Sequence, residues 1–130
     1  MRKLVKKSVA VEYDIEGCNV FLSGPVTGLD RQDIIRTFNR AEDICYWNLA
    51  SEVFNPTRSV PKEYAHDEAM LRCLNELTMR NWDDVNTRKP FYDYLIQLDG
   101  WEDSSGACAE KAVALACGIE VISIHEVRWD

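Results

Sequence analysis

The sequence predicts an α/β fold, a doubly wound parallel β-sheet in a single domain with helices on both faces. Segments typical of strands alternate with segments typical of helices, and this order gives parallel strands joined by right-handed crossovers. Two glycine-containing loops each follow a predicted strand, so both fall at the carboxyl edge of the sheet, where such folds bind ligands. The length of 130 residues suits one domain with a modest core.

The first half of the chain contains two predicted strands and one amphipathic helix. Residues 1–18 have a basic start and are expected to form an N-terminal arm or edge strand, which leaves residues 19–130 as the α/β domain. Strands are predicted over 19–23 and over 52–55. Between them Asp30 is a candidate N-cap. The helix that follows has apolar residues at intervals of three and four: Ile34, Ile35, Phe38, Ala41, Ile44, Cys45 and Leu49.

The second half predicts a further helix and two strands. A helical pattern runs from residue 62 to about residue 85 and is broken at 86–90, which ends in proline. The apolar run 92–98 is rich in strand formers and predicts the third strand. The last strand is predicted over 119–124, and residues 125–130 are interpreted as a short polar tail.

The loop after the third strand leads into a helix that is almost wholly Ala, Val, Leu and Cys and is therefore predicted to be buried. Ser104 or Ser105 can cap this helix, and Gly118 closes it as a C′ glycine. Free backbone N–H groups and the positive end of the helix dipole favour an anionic ligand here. Ser104, Ser105 and Gly106 are therefore candidate substrate-binding residues; capping alone is the alternative, and both roles can coexist.

Glu110 lies about one and a half turns into this apolar helix, close to the proposed ligand site. A carboxylate beside a sugar can attack the anomeric carbon and form a covalent glycosyl-enzyme. The alternative is a structural carboxylate paired with Arg or Lys. A second acid, or contacts with the substrate, must help the base to leave. The candidates for the second acid are Asp83, Asp84, Asp93 and Asp99, of which Asp99 ends a strand nearest the site.

The loop after the first strand could wrap a sugar or a base, since glycine lets the backbone approach a ligand closely. It matches neither a dinucleotide-binding nor a Walker pattern, and a plain turn is the alternative. Its candidate binding residues are Ser23, Gly24, Pro25, Thr27 and Gly28. Trp101 could stack on a base or simply cover its own loop. His66 and His125 lie in polar surroundings and are interpreted as solvated surface residues.

Composition excludes several classes of partner. The net charge of −7 disfavours a nucleic acid polymer. No apolar run reaches the roughly 18 residues that a membrane span needs, and no signal-peptide core follows the basic start, so a cytoplasmic protein is expected. The cysteines lack metal-ligand spacing and are interpreted as reduced, buried thiols with no metal site: Cys18, Cys45, Cys73, Cys108 and Cys117.

Three segments, in this order, resemble the nucleoside 2-deoxyribosyltransferase-like superfamily: 20–28, 53–56 and 98–110. The closest subgroup looks like small phage and bacterial proteins of unassigned function that carry GPxTG and LxGWxxSxGAxxE motifs. The resemblance implies a flavodoxin-like, Rossmann-like fold. It also implies N-glycosidic bond cleavage or deoxyribosyl transfer on a 2′-deoxynucleotide, with a 5′-monophosphate favoured and no cofactor.

The resemblance also assigns roles to single residues. Glu110 matches the family's nucleophile, and Ser104 falls where the glycosidases have a phosphate-contacting serine. Gly24 and its neighbours match the loop that lines the base and sugar pocket. Asp84, or Asp83, matches an acid on the second helix that assists the base.

One departure from the family pattern supports a second hypothesis. Phe21 stands where the enzymes usually have a tyrosine that helps to hold the nucleophile, and phenylalanine cannot form that hydrogen bond. A non-catalytic module that binds or sequesters a nucleotide, such as a phage accessory protein, is therefore the alternative, and a purely structural interaction protein is a weaker one. Family members are commonly dimers or larger, so a homo-oligomer is expected, to which exposed Tyr46, Trp47 and Trp82 could contribute.

Overall fold

The sheet has four strands, all parallel, and the computed structural model describes residues 11–26, 29–81 and 89–129 of the chain. In chain order the strands are β1 (Asn19–Ser23), β2 (Glu52–Phe54), β3 (Tyr94–Gln97) and β4 (Glu120–Ser123). Their order across the sheet is β2-β1-β3-β4, which is the flavodoxin-like arrangement. The predicted α/β fold, with a parallel sheet in one small domain, is confirmed.

Helices connect the strands: α1 (Arg31–Trp47), α2 (Pro56–Ser59), α3 (His66–Leu77) and α4 (Ser105–Ala116). Asp30 caps α1 as predicted, since its side chain accepts a hydrogen bond from the Gln32 backbone N–H at 2.7 Å. Gly118 follows α4 with a φ of 81°, the left-handed conformation expected of a C′ glycine. Among the described helices, none is both long and apolar enough to cross a membrane.

The two faces of the sheet carry separate apolar cores, because successive strand residues point to opposite faces. Val20 and Leu22 of β1 pack with Phe38 and other apolar residues of α1 on one face. Phe21, between them, packs on the other face with Leu77 of α3. Ala114 of α4 and Leu95 of β3 belong to this second core, so α3 and α4 share the face opposite α1.

Three details differ from the sequence-based predictions. The predicted start of the second helix at residue 62 is wrong, because α3 begins at His66. At this start the Glu68 side chain accepts a hydrogen bond from the Ala65 backbone N–H at 3.0 Å. A separate short helix covers Pro56–Ser59. The end of that prediction falls on residues 82–88, outside the described residues. Cys108 is exposed rather than buried, although all five cysteines are free.

The predicted polar tail is also wrong for the residues described. A 3-10 turn covers Ile124–Glu126, and Val127 is buried in the core with Ile15. Backbone hydrogen bonds of 2.7 and 2.8 Å join Tyr13 to Glu126 and Arg128. An apolar side chain in a polar segment therefore anchors this end of the chain next to residues 11–18, the described part of the predicted arm.

At two glycines of the carboxyl edge, neighbouring side chains lie so close that an added Cβ would meet them. A Cβ on Gly24 would lie 3.0 Å from the Leu98 Cβ, which is fixed by the backbone, whereas one on Gly106 would meet the flexible end of Met70 at 3.1 Å. We expect Gly24→Ala to lower the free energy of unfolding by about 1–3 kcal/mol. We expect Gly106→Ala to change it by less than about 1 kcal/mol, because alanine favours the helix. Urea unfolding of both variants measures the difference, and equal losses would contradict this account of the contact between the two strand ends.

Candidate active site

The topology places one crevice at the centre of the carboxyl edge. The chain leaves β1 toward β2 on one side and leaves β3 toward β4 on the other, so the connections diverge between two adjacent strands. Doubly wound sheets bind ligands at such a switch point. Helices α1, α2 and α4 follow β1, β2 and β3, so they begin near this edge and direct the positive ends of their dipoles toward it. Helix α3 follows α2, and its first residue, His66, lines the cavity described next.

A cavity of about 390 Å³ opens at this edge. This volume lies within the range of small-molecule sites, about 300–1,000 Å³. Its lining comes from the ends of strands and the first turns of helices, including Leu22, Gly24, Thr57, Met70, Ser104 and Glu110.

Glu110 is the buried charge of this cavity, with 7% of its surface exposed. The Ser23 hydroxyl, at the end of β1, donates a hydrogen bond to Glu110 Oε1 at 2.7 Å. Among the described residues, no Arg, Lys or His forms an ion pair with Glu110, which counts against the alternative of a structural salt bridge. A buried carboxylate without a cationic partner is costly and is typical of functional sites.

Burial raises the pKa of Glu110 from its ordinary value of 4.5 to about 7. Hydrogen bonds from Ser23 and from the Cys73 thiol of α3 act in the opposite direction, because they favour the ionised form. Burial also raises the pKa of Cys73, to about 12, so this side chain stays a neutral thiol and a hydrogen-bond donor. The cavity therefore holds a carboxyl group that changes charge near neutral pH.

Ser104 is the N-cap of α4: its Oγ accepts from the Ala107 backbone N–H at 3.1 Å. Of the two serines predicted as caps, Ser104 takes the role, and Ser105 is the first residue of the helix. The Ser104 hydroxyl hydrogen stays available to a ligand, because capping uses only the oxygen as acceptor. Gly100, with a φ of 88°, turns the chain before this cap.

The predicted site residues separate into two groups. Ser104, Gly24, Gly106 and Glu110 line the cavity, and Ser23 reaches it through its hydrogen bond to Glu110. A second, more open depression of about 650 Å³ is lined by other predicted residues, namely Pro25, Asp99 and Ser105. Thr27, Gly28, Asp83 and Asp84 lie outside the described residues.

Several of the other candidates have contacts that point away from the cavity. The Asp99 carboxylate lies 2.8 Å from His125 Nε2 and is exposed, so it does not face Glu110. Asp93 accepts a hydrogen bond from the Asn19 backbone N–H at 2.8 Å and fixes the start of β1. Trp101 lies under the Lys111 ammonium, with 4.5 Å from Nζ to the ring centroid, and lines neither depression.

Three basic side chains in the cavity wall were not predicted: Arg31, Lys62 and His66. None of them forms an ion pair with another residue in the described part of the chain. Arg31 and His66 are the first residues of α1 and α3. His66 is exposed, as interpreted from the sequence, and it also lines both depressions, which that interpretation did not include. Their positions in the sequence could have indicated this, because Arg31 comes after β1 and both Lys62 and His66 come after β2, whose carboxyl ends lie at the ligand-binding edge.

A model of the domain of unknown function DUF4406 matches residues 18–123 of this chain. The chain belongs to the DUF4406 family. No curated protein and no solved structure matches it. Because the family description states no activity, the function of this DUF4406 protein has to be argued from its site. The match includes both loops, all four strands and Glu110.

In the part of the chain that the structure describes, no set of metal ligands surrounds the carboxylate and no tyrosine hydroxyl contributes a hydrogen bond to its pKa. Within the described ranges, no group of three or more His, Cys, Asp or Glu side chains could hold a metal ion. Phe21 is fully buried, stacks on Phe54 with 4.9 Å between ring centroids, and meets the edge of Tyr92 at 5.7 Å. The Tyr92 hydroxyl donates to Glu76 instead. Ser23 and Cys73 are therefore the donors that act on Glu110.

The raised pKa of Glu110 predicts how stability depends on pH. The folded state holds the Glu110 proton more tightly than the unfolded state does. The stabilisation that protonation gives to the folded state is therefore complete below pH 4.5 and is lost as pH rises through about 7. Relative to Glu110→Gln, the free energy of unfolding of the unmodified protein should fall by roughly 3 kcal/mol between these limits. Urea unfolding at pH 4.5 to 8 measures this difference. Ser23→Ala should enlarge the fall, because it removes a bond that lowers the pKa; a difference that is constant with pH would contradict the assignment.

Proposed function

We propose that this DUF4406 protein cleaves the N-glycosidic bond of a 2′-deoxynucleoside 5′-monophosphate, or transfers its deoxyribosyl group, with Glu110 as nucleophile. The observation that carries the proposal is a buried carboxyl group without a basic partner among the described residues, in a cavity whose wall contains three basic side chains. The resemblance to nucleoside 2-deoxyribosyltransferase-like proteins supports the same chemistry.

The separation of charges in the cavity suits a sugar phosphate. Burial, opposed by hydrogen bonds from Ser23 and Cys73, sets the pKa of Glu110. The basic side chains of Arg31, Lys62 and His66 line the same cavity, and none of them forms an ion pair with Glu110 in the described part of the chain. A phosphate bound to them and to the Ser104 hydroxyl would place the deoxyribose between the rim and Glu110.

The reaction proceeds in two balanced steps. The ionised Glu110 carboxylate forms a bond to C1′ while the bond from C1′ to the base nitrogen breaks, and the base leaves with that electron pair and takes a proton from water. Water then attacks C1′, its proton goes to the solvent, and Glu110 is released. In the transfer reaction, a second base attacks C1′ in place of water. The Ser23 hydroxyl holds Glu110 Oε1 throughout.

One observation favours the alternative of a nucleotide-binding or sequestering module. In the described part of the chain, no second Asp or Glu lines the cavity with Glu110, since Asp99 lies in the neighbouring depression. A leaving base would then receive no proton from a second carboxyl group in the described part of the chain, which slows cleavage.

Glu110→Gln should reduce the release of free base from a panel of deoxynucleoside monophosphates by about a thousandfold or more. Chromatography of the free base measures the rate. In the unmodified protein, kcat/KM should rise with pH through about 7, because only the ionised Glu110 attacks. Glu102→Gln is the matched control, since that side chain is exposed in the turn before α4. Activity that survives in Glu110→Gln would overturn the mechanism, whereas tight binding by calorimetry without base release would support the binding module.

Removing the rim charges separates the phosphate contact from the chemistry. Arg31→Gln and Lys62→Gln should each raise KM for the monophosphate roughly ten- to hundredfold, because charge-assisted hydrogen bonds to phosphate are lost. KM for the matching deoxynucleoside should change little. Arg36→Gln, which removes an exposed charge from the same helix as Arg31, is the control. Equal losses for both substrates would argue against phosphate binding at this rim.

The expected homo-oligomer and the cytoplasmic location stay predictions. Tyr46 and Trp47, at the end of α1, are 43% and 63% exposed, and Trp47 lies near the exposed Trp129 with 6.4 Å between ring centroids. Trp82 is outside the described residues. These exposed rings could contribute to contact with a second copy of the chain.

A further inference from the structure

Gln97 has an unpaired polar atom in the core beside the site. Its side-chain Nε2 is buried and has no hydrogen-bond partner, and 8% of the residue is exposed. No other buried side-chain nitrogen or oxygen in the described residues lacks a partner. Leaving a buried amide unsatisfied costs about 1–3 kcal/mol, so such an atom calls for an explanation.

The register of the sheet places this amide next to the Ser23–Glu110 hydrogen bond. Gln97 ends β3 and is the register partner of Ser23 on β1, so the two side chains point to the same face of the sheet. Two residues earlier, Leu95 and Phe21 both belong to the core beneath α3 and α4. Gln97 therefore points toward the helices that bring Cys73 and Glu110 to the site.

We propose that Gln97 is a positioning residue for Glu110, and that its side-chain amide donates a hydrogen bond to the Glu110 carboxylate when this group loses its proton. The consequence for catalysis rests on the proposed function, whereas the hydrogen bond itself does not. Gln97 does not line the cavity, so it acts through Glu110 and not on the substrate.

The number of available acceptor sites favours this hydrogen bond when the carboxyl group is ionised. A protonated carboxyl group uses one oxygen to carry its hydrogen, whereas the ionised group offers about four acceptor sites on two oxygens. Ser23 and Cys73 occupy two of these sites. A third donor is then favourable, because a buried anion gains more from each hydrogen bond than a neutral group does.

The other charged groups around Glu110 do not fill this place. From α3, Cys73 stays neutral and His66 lies at the rim. Arg31 of α1 and Lys62, which precedes α3, also line the cavity, and neither forms an ion pair with Glu110 in the described part of the chain. Lys111, the next residue of α4, lies over Trp101. The strands contribute Ser23, Gln97 and Ser123 at this position, none of which titrates.

A pH titration of the Gln97 side-chain amide by ¹⁵N–¹H NMR tests the hydrogen bond without any substrate. Its proton resonance should move downfield with a midpoint near the Glu110 pKa of about 7. The shift should vanish in Glu110→Gln. Gln32, which is exposed on α1, is the control amide and should not follow this midpoint. A Gln97 resonance that does not titrate with Glu110 would overturn the proposal.

Gln97→Leu and Gln97→Met give a second measurement with apolar side chains of similar size. The pKa of Glu110, read from its ¹³C carboxyl resonance, should rise by about one unit, and the inflection of kcat/KM should rise with it while the plateau at high pH is kept. A purely structural role would change stability and leave both values in place, and that result would also overturn the proposal. If the Gln97 amide resonance follows the ionisation of Glu110 but no base is released, the positioning role stands and the proposed function fails.

Discussion

The hydrogen bond between Ser23 and Glu110 connects residues 87 positions apart and joins the end of β1 to α4. It holds a carboxyl group that the surrounding core disfavours in its charged form. Burial raises the pKa of this group, the donors around it lower the pKa, and the balance leaves it at about 7. A carboxyl group of this kind is useful to an enzyme, because a small change in its surroundings decides whether it is charged.

The same balance explains why the site costs stability. An apolar residue in place of Glu110 would pack against Ala107 and Ala114 without a desolvation penalty, and the amide of Gln97 is left unpaired nearby. Natural proteins keep such unfavourable groups chiefly where function needs them. The cluster of unfavourable groups at the carboxyl edge, and not the fold alone, is what makes this edge the candidate functional site.

Net charge is a poor guide to this cavity. The chain carries −7 overall, yet Arg31, Lys62 and His66 meet at the rim with the positive ends of several helices. Excess negative charge elsewhere is compatible with binding a small anion, because ion pairs and helix dipoles act over short distances in salt. The net negative charge disfavours a nucleic acid polymer, which contacts a large part of the surface. It does not disfavour a mononucleotide that a few groups hold.

Local patterns determined the class of fold and several single positions. The alternation of strand and helix, the cap at Asp30, a serine cap on α4, the glycine at position 118, and Glu110 on an apolar helix all depend on neighbouring residues, so the sequence by itself was sufficient for them. The structure then chose Ser104 over Ser105 as that cap. The start of α3 was missed because residues 62–65 carry a helical pattern but lie in turns.

Tertiary structure decided which groups meet. Asp99 and Glu110 are close in sequence, yet the turn at Gly100 directs Asp99 toward His125 and away from the cavity. Ser23, Cys73 and Glu110 are far apart in sequence and come together because β1, α3 and α4 pack against one face of the sheet. The basic rim and the unpaired amide of Gln97 follow from crossovers and strand register, which set distances that no local pattern encodes.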